Sequence, residues 1–271
     1  MKTLHPYHRP LGSTGLQVSP LGLGTVKIGR NQGVKYPSGF ELPDDQQVAE
    51  LLALSRDLGI NLLDTAPAYG ISEQRLGPLL AGQRQDWVLC SKVGEEFANG
   101  ESWFDFSATH TRRSVQRSLQ RLCTDYLDLV LVHSNGDDLS VLADEVYPAL
   151  QQLKQEGLIR AFGFSGKTVA GGLQALEQGD CAMVTWNLRE QAERPVLDFA
   201  LSHNKGILVK KALASGHICL EGEDPVNAGF KLVFSHPAVS SAIIGTINPA
   251  HLTQNVTTVA GILERAGKNN D

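Results

Sequence analysis

Between residues 21 and 263 the sequence repeats one pattern eight times: a short apolar run, then a stretch with apolar residues at helical spacing. The apolar runs fall at 21–28, 61–66, 87–93, 127–133, 159–165, 183–188, 206–213 and 240–247. Several, such as Leu127-Asp128-Leu129-Val130-Leu131-Val132-His133, are nearly continuous, as a strand covered on both faces must be. The intervening stretches behave differently. After Asp44 or Asp45, which can cap a helix, Val48, Leu51, Leu52, Ser55 and Leu58 recur at i, i+3, i+4 and i+7, and Gly59 ends the pattern. Similar patterns predict helices over 72–81, from Ser107, through Leu142 to Leu153, and over 168–178, 194–204, 225–236 and 249–263. Eight strand–helix units in about 240 residues favour an α/β fold of the closed (β/α)8 TIM-barrel type over an open, doubly wound sheet. No linker or low-complexity stretch interrupts them, so residues 1–271 are expected to form one domain. A Gly-centred turn over residues 11–19 predicts a small β-hairpin before the barrel.

The chain carries a net charge of −5, which disfavours nucleic acid or an anionic membrane as its main partner. Arg112, Arg113, Arg117 and Arg121 lie on the polar side of a helical pattern and read as a solvated face. The four cysteines are scattered without a CxxC, against a zinc site or a disulfide framework. With no run of about 18 apolar residues and a polar start, the chain is expected to be cytoplasmic, and a monomer or small homo-oligomer. Residues 29–43 form a loop rich in Gly and Pro, long enough to suggest a function.

A closed barrel brings all strand carboxyl ends to one rim, where distant residues converge. Reading those ends gives Asp64 after the second strand, Lys92 at the third and His133 at the fourth, with Tyr69 in the loop following Asp64. Singly, each is an ordinary structural residue; together they make chemical sense. An ammonium beside a phenol lowers its pKa, and a buried lysine needs a carboxylate partner, for which Asp64 is the candidate. His133 can donate a hydrogen bond to a carbonyl oxygen. The set describes a proton donor beside a carbonyl carbon that receives a hydride, with no metal required.

These residues lie in segments that resemble the aldo-keto reductase family along nearly the whole chain. Leu11-Gly12-Ser13-Thr14-Gly15-Leu16-Gln17-Val18-Ser19 resembles its N-terminal hairpin, implying a hairpin that closes the bottom of the barrel. Asp64-Thr65-Ala66-Pro67-Ala68-Tyr69-Gly70, Ser91-Lys92-Val93 and Leu131-Val132-His133 match its catalytic segments in order. The resemblance implies Tyr69 as general acid, Lys92 and Asp64 as its tuners, and His133 as the group that positions the carbonyl. It implies NADP(H), or less often NAD(H), bound near Ser165, Asn187, the strand end from Lys210 and Lys211 to Gly216, Thr246, His251 and Asn255. Gly245-Thr246-Ile247-Asn248-Pro249 could seat a phosphate at a helix N-terminus, with Asn248 as N-cap, and equally reads as an ordinary cap. The chain departs from the family pattern at Gly166, Met183, Lys210 and His251, where an asparagine, a glutamine, an aromatic and an arginine are usual.

The expected activity is reduction of an aldehyde or ketone to the alcohol, hydride coming from nicotinamide and the proton from Tyr69. A non-catalytic cofactor-binding sensor on the same barrel is the alternative, and a lyase or isomerase using Lys92 as a Schiff base ranks behind both. Gly163-Phe164-Ser165-Gly166-Lys167-Thr168 imitates a phosphate-binding P-loop, but Ala161 stands where that motif requires its first glycine. Lys27, Tyr36, Phe40, Trp103, Phe104 and Trp186 are candidates to line the substrate pocket, or else to pack loops on the barrel.

Overall fold

The computed structural model describes residues 2–34, 39–214, 216 and 224–268. Eight parallel strands close into a ring: β1 (Leu21–Gly24), β2 (Leu62–Asp64), β3 (Val88–Val93), β4 (Leu127–His133), β5 (Ile159–Ser165), β6 (Cys181–Thr185), β7 (Gly206–Lys210) and β8 (Val239–Ile244). Ala242, Ile243 and Ile244 of β8 pair with Leu21, Gly22 and Leu23 of β1 and complete the circle. Helices follow the strands, and several start where the sequence supplies a cap. Asp44 accepts from Gln47 N while the Gln47 side chain accepts from Asp44 N, a full capping box for helix Asp45–Asp57. Ser107 caps Ala108–Arg121 by accepting from His110 N, and Thr168 caps Val169–Gln178 by accepting from Gly171 N.

Alternate strand residues face two apolar cores. Leu62, Val88, Cys90, Leu129, Leu131, Ala161, Cys181, Met183 and Leu208 fill the barrel interior together with Leu11, Leu16 and Val18 of the N-terminal hairpin. The larger core lies between barrel and helices. Arg9–Pro10 pairs with Gln17–Val18, and Ser13 N and Pro10 O bond to Asn204 O and Ser240 Oγ. Those partners adjoin the amino ends of β7 and β8, so the hairpin plugs the bottom of the ring, as expected.

The structure corrects several element boundaries. β1 ends at Gly24 because Thr25 N and Oγ1 both donate to Asp64 O, turning the chain into a short helix, Val26–Gly29. β6 starts and ends earlier than the apolar run 183–188, because the Asn187 side chain closes a turn by accepting from Arg189 N and Glu190 N. The pattern through Leu142–Leu153 is two helices, Asp138–Ala143 and Val146–Gln155, separated at an extended Asp144. A second hairpin, Glu95–Ala98 paired with Glu101–Phe104, stands between β3 and the next helix. Among the described residues no helix is long and apolar enough to cross a membrane.

One close approach positions the loop after β2. Gly29 lies against the backbone that leads out of Tyr69: a Cβ there would stand 2.0 Å from Tyr69 O and 2.5 Å from Ser72 N. Gly70 faces it with φ +64°. Gly29→Ala is therefore expected to destabilise the protein by about 1–3 kcal/mol, as overpacking against rigid backbone does. A urea midpoint equal to that of the unsubstituted protein would show that the loop yields freely.

Candidate active site

Asp64 is the last residue of β2 and Lys92 the penultimate residue of β3, and their side chains meet inside the rim. Lys92 Nζ donates to Asp64 Oδ1 at 2.5 Å and to Thr65 O at 2.9 Å. Lys92 is 2% exposed and Asp64 3%, so neither charge has water to solvate it and each depends on the other. Burial works against the ammonium, but Asp64 and Tyr69 outweigh it and hold the Lys92 pKa above its ordinary value. Around this pair the hydroxyls of Thr25, Ser72 and Thr65 form a chain, at 2.8 and 3.0 Å, that ties together the ends of the first two strands and the following helix.

Tyr69 leans over Lys92, whose Nζ is 4.7 Å from the ring centroid. Its hydroxyl reaches Asp64 Oδ2 at a long 3.5 Å. Burial first, then the Asp64 charge, push the phenol pKa up; Lys92 opposes them without prevailing. Lys92 is the neighbour expected from the sequence to lower this pKa, but the cost of burying a phenolate is larger. At neutral pH Tyr69 is a phenol and can give a proton. His133 ends β4 and meets the Tyr69 ring edge to face, with centroids 6.4 Å apart and an interplanar angle of 87°.

The hairpin after β3 contributes a residue that no sequence argument selected. Glu95 Oε2 lies 2.6 Å from His133 Nδ1, and Glu95 Oε1 accepts from Ser102 Oγ at 2.6 Å. Burial would raise the Glu95 pKa, but His133, Ser102 and Arg30 bring it down to about 2. On the opposite face of the ribbon Glu96 pairs with Arg117 and lies 3.2 Å from His110. The Arg30 guanidinium sits 3.9 Å above the Phe97 ring. The signal that could have revealed this hairpin is Asn99-Gly100, whose φ values of +54° and +88° fit a type I′ turn.

The four residues open into a cavity of about 480 Å³ that also touches Lys27, Ser165, Met183, Lys210, Lys211, Gly245, Thr246, His251 and Asn255. It runs from Asp64, Tyr69, Lys92 and His133 to the start of helix Pro249–Lys268. Its size, two hydroxyls, an amide and four basic side chains fit an extended dinucleotide, with the four polar residues at one end and a helix N-terminus at the other. Lys210 Nζ donates to Ser165 Oγ at 3.0 Å and to Gly166 O at 2.5 Å, occupying the hydroxyl that the resemblance assigned to the cofactor. Burial draws the Lys210 pKa down to about 8, with Glu193 opposing. Lys211 turns out of β7 with φ +55°.

Other expected positions lie elsewhere. Asn187 is wholly buried and outside the cavity lining; its Nδ2 donates to Lys211 O at 3.0 Å and its oxygen closes the turn after β6. Asn248 serves as N-cap, accepting from Ala250 N and His251 N. Trp186 packs in the outer core, its Nε1 donating to Leu232 O, and does not line the cavity. Trp103 is exposed and stands edge to face with His110, and Phe104 stacks on Phe106. Phe40 lies 5.1 Å from Lys27 Nζ, and Tyr36 falls outside the described residues. In the stretch that imitates a P-loop, Asp138 Oδ2 accepts from Lys167 N, Thr168 N and Thr168 Oγ1. A carboxylate of the chain itself uses the donors that a phosphate would need. Among the described residues no group of three or more His, Cys, Asp or Glu is placed to hold a metal ion.

Comparison with known proteins agrees with this geometry. The model of the aldo/keto reductase family matches residues 20–231. A crystal structure of a Pseudomonas aeruginosa protein, provisionally assigned to the aldo-keto reductases, is 64% identical, with a TM-score of 0.89 over 97% of this chain and 98% of that one. The aldo-keto reductase AKR11C1 from Bacillus halodurans, in its holo form, is 27% identical, with a TM-score of 0.80 over 93% of this chain and 90% of that one. L-galactose dehydrogenase from Arabidopsis thaliana is 39% identical over 58% of this chain, a match that spans 48% of that relative's length. With the closed barrel, its hairpin plug and the convergent rim residues, these matches show that the chain belongs to the aldo/keto reductase family of NAD(P)-dependent oxidoreductases, which act on carbonyl and alcohol groups.

Proposed function

We propose that this protein interconverts an aldehyde or ketone and its alcohol at the cavity rim, with Tyr69 as proton donor, Lys92 and Asp64 as its electrostatic support and His133 as the group that orients the reacting oxygen. The observation that carries this reading is the convergence of four residues from three successive strand ends on one cavity, around a fully buried Lys92–Asp64 pair. When bound, a nicotinamide dinucleotide supplies the hydride. The chain's own residues supply the rest. Tyr69, kept as a phenol, gives its hydroxyl proton to the oxygen that gains charge. The phenolate left behind lies beside the Lys92 ammonium, which Asp64 in turn neutralises, so the charge created by the transfer is met by groups already in place. Tyr69→Phe should fold and bind cofactor as before while losing about 10²–10⁴-fold in kcat, the range of a general acid. Turnover at the unsubstituted rate would refute the assignment.

For the cofactor, the reading favours NADP(H). Lys211 and His251 line the cavity, His251 from the last helix, and a 2′-phosphate would gain from basic side chains there. Fluorescence titrations with NADPH and NADH separately should show tighter binding of NADPH. His251→Ala should weaken NADPH about fivefold, the effect of one exposed polar contact, and leave NADH unchanged. Equal losses for both dinucleotides would assign His251 to general packing. The cavity's basic and hydroxyl lining suits a small polar substrate, and the likeness to L-galactose dehydrogenase makes aldoses the first alcohols to screen.

A further inference from the structure

We propose that Glu95 is a positioning residue: it fixes His133 in the tautomer that carries hydrogen on Nδ1, so that Nε2, the nitrogen left for the cavity, accepts hydrogen bonds in the neutral ring and donates only in the imidazolium. The inference rests on the reading in which His133 faces the reacting oxygen. A carboxylate only accepts, and a neutral imidazole carries a single N–H. The contact between Glu95 Oε2 and His133 Nδ1 is 2.6 Å but lies off the N–H axis, outside hydrogen-bond geometry, so its pull on the ring is electrostatic. A carboxylate that close repels a bare Nδ1 lone pair and attracts an N–H, which favours the hydrogen on Nδ1. Glu95 is itself seated, because Ser102 Oγ donates to its other oxygen and the hairpin is fastened on both faces, by Arg30 on Phe97 and by Arg117 on Glu96.

The charges around the ring set which form prevails. Lys92 from β3 and Lys210 from β7 disfavour the imidazolium, while Glu95 from the hairpin favours it. Asp64, from β2, is committed to Lys92, and Tyr69, from the loop after β2, stays neutral. Burial, the largest influence, adds to the two lysines and holds the His133 pKa below its ordinary value. The ring is therefore neutral at pH 7, with Nε2 bare.

A carbonyl oxygen has no hydrogen to offer a bare Nε2, whereas an alcohol hydroxyl does. Neutral His133 thus selects the alcohol and charged His133 the carbonyl, and the proton on this one ring biases the direction of the reaction. Glu95 makes the choice exclusive by denying the neutral ring its other tautomer. With amide in place of carboxylate, residue 95 could accept from Nδ1–H or donate to Nδ1, and the neutral ring could place its hydrogen on Nε2.

The test has two readouts. ¹⁵N NMR of imidazole-labelled protein, loaded with NADPH and without substrate, should show His133 as the Nδ1–H tautomer at pH 8, and as a mixture or the Nε2–H tautomer in Glu95→Gln. With para-nitrobenzaldehyde, the KM of the unsubstituted protein should rise about tenfold per pH unit above the ring's pKa, because only the charged fraction binds the carbonyl. The KM for para-nitrobenzyl alcohol should fall as pH rises toward that pKa and level off above it. In Glu95→Gln the aldehyde KM should be nearly flat with pH, and Ser102→Ala, which leaves Glu95 in place but loosens it, should lie between the two. An Nε2–H tautomer in the unsubstituted protein, or superimposable profiles for Glu95→Gln and the parent, would overturn the proposal. Absence of turnover in either direction would instead count against the catalytic reading of the four residues, since the NMR measurement judges Glu95 without it.

Discussion

The closure of β8 onto β1 is the constraint on which everything else depends. Ala242, Ile243 and Ile244 find their partners in Leu21, Gly22 and Leu23, and only then do the parallel strands have no free edge. Once closed, the ring sends every strand's carboxyl end to one rim. Asp64, Lys92 and His133 belong to three neighbouring strands, and closure makes them neighbours in space. The hairpin plug at the other end completes the interior core, so the ring is a packed solid below and open above.

Into that interior the protein places a lysine with almost no access to water. Such a charge is tolerable only because Asp64 meets it at hydrogen-bond distance and Thr65 O takes a second donor. The pair is weak evidence for stability, since apolar residues of similar size would fill the space at lower desolvation cost. Its value lies in the field it creates beside Tyr69. The phenol stays protonated because burial and Asp64 prevail, while the ammonium beside the ring pulls the other way.

Much of the fold was legible because β-strands buried on both faces are hard to disguise. Residues 127–133 and 159–165 match β4 and β5 at both ends, and the caps at Ser107 and Thr168 are where the side chains announce them. The boundaries that moved did so for reasons outside the local pattern. β1 stops at Gly24 because Thr25 reaches across to the Asp64 carbonyl, a partner 39 positions away. At the rim, Asp64, Tyr69, Lys92 and His133 were readable since each closes or follows a strand. Trp186 and Asn187 also follow a strand, but one packs into the outer core and the other braces Lys211, and nothing in residue type separates these roles from cofactor contact. Glu95 stayed hidden because its significance depends on a hairpin folding back over the rim, even though Asn99-Gly100 signals that hairpin plainly.

The two adjacent glutamates of that hairpin point to opposite faces of the ribbon, Glu95 to His133 and Glu96 to Arg117. Their assignment follows the pairing register, Glu95 opposite Phe104 and Glu96 opposite Trp103. A slip of one residue would exchange the faces and hand the histidine's carboxylate to the helix behind it. The tight two-residue turn at the tip thus acts as a length gauge for the contact with His133. Loop tips are ordinarily where a protein tolerates insertions most readily, but at this tip an added residue would be felt at the histidine.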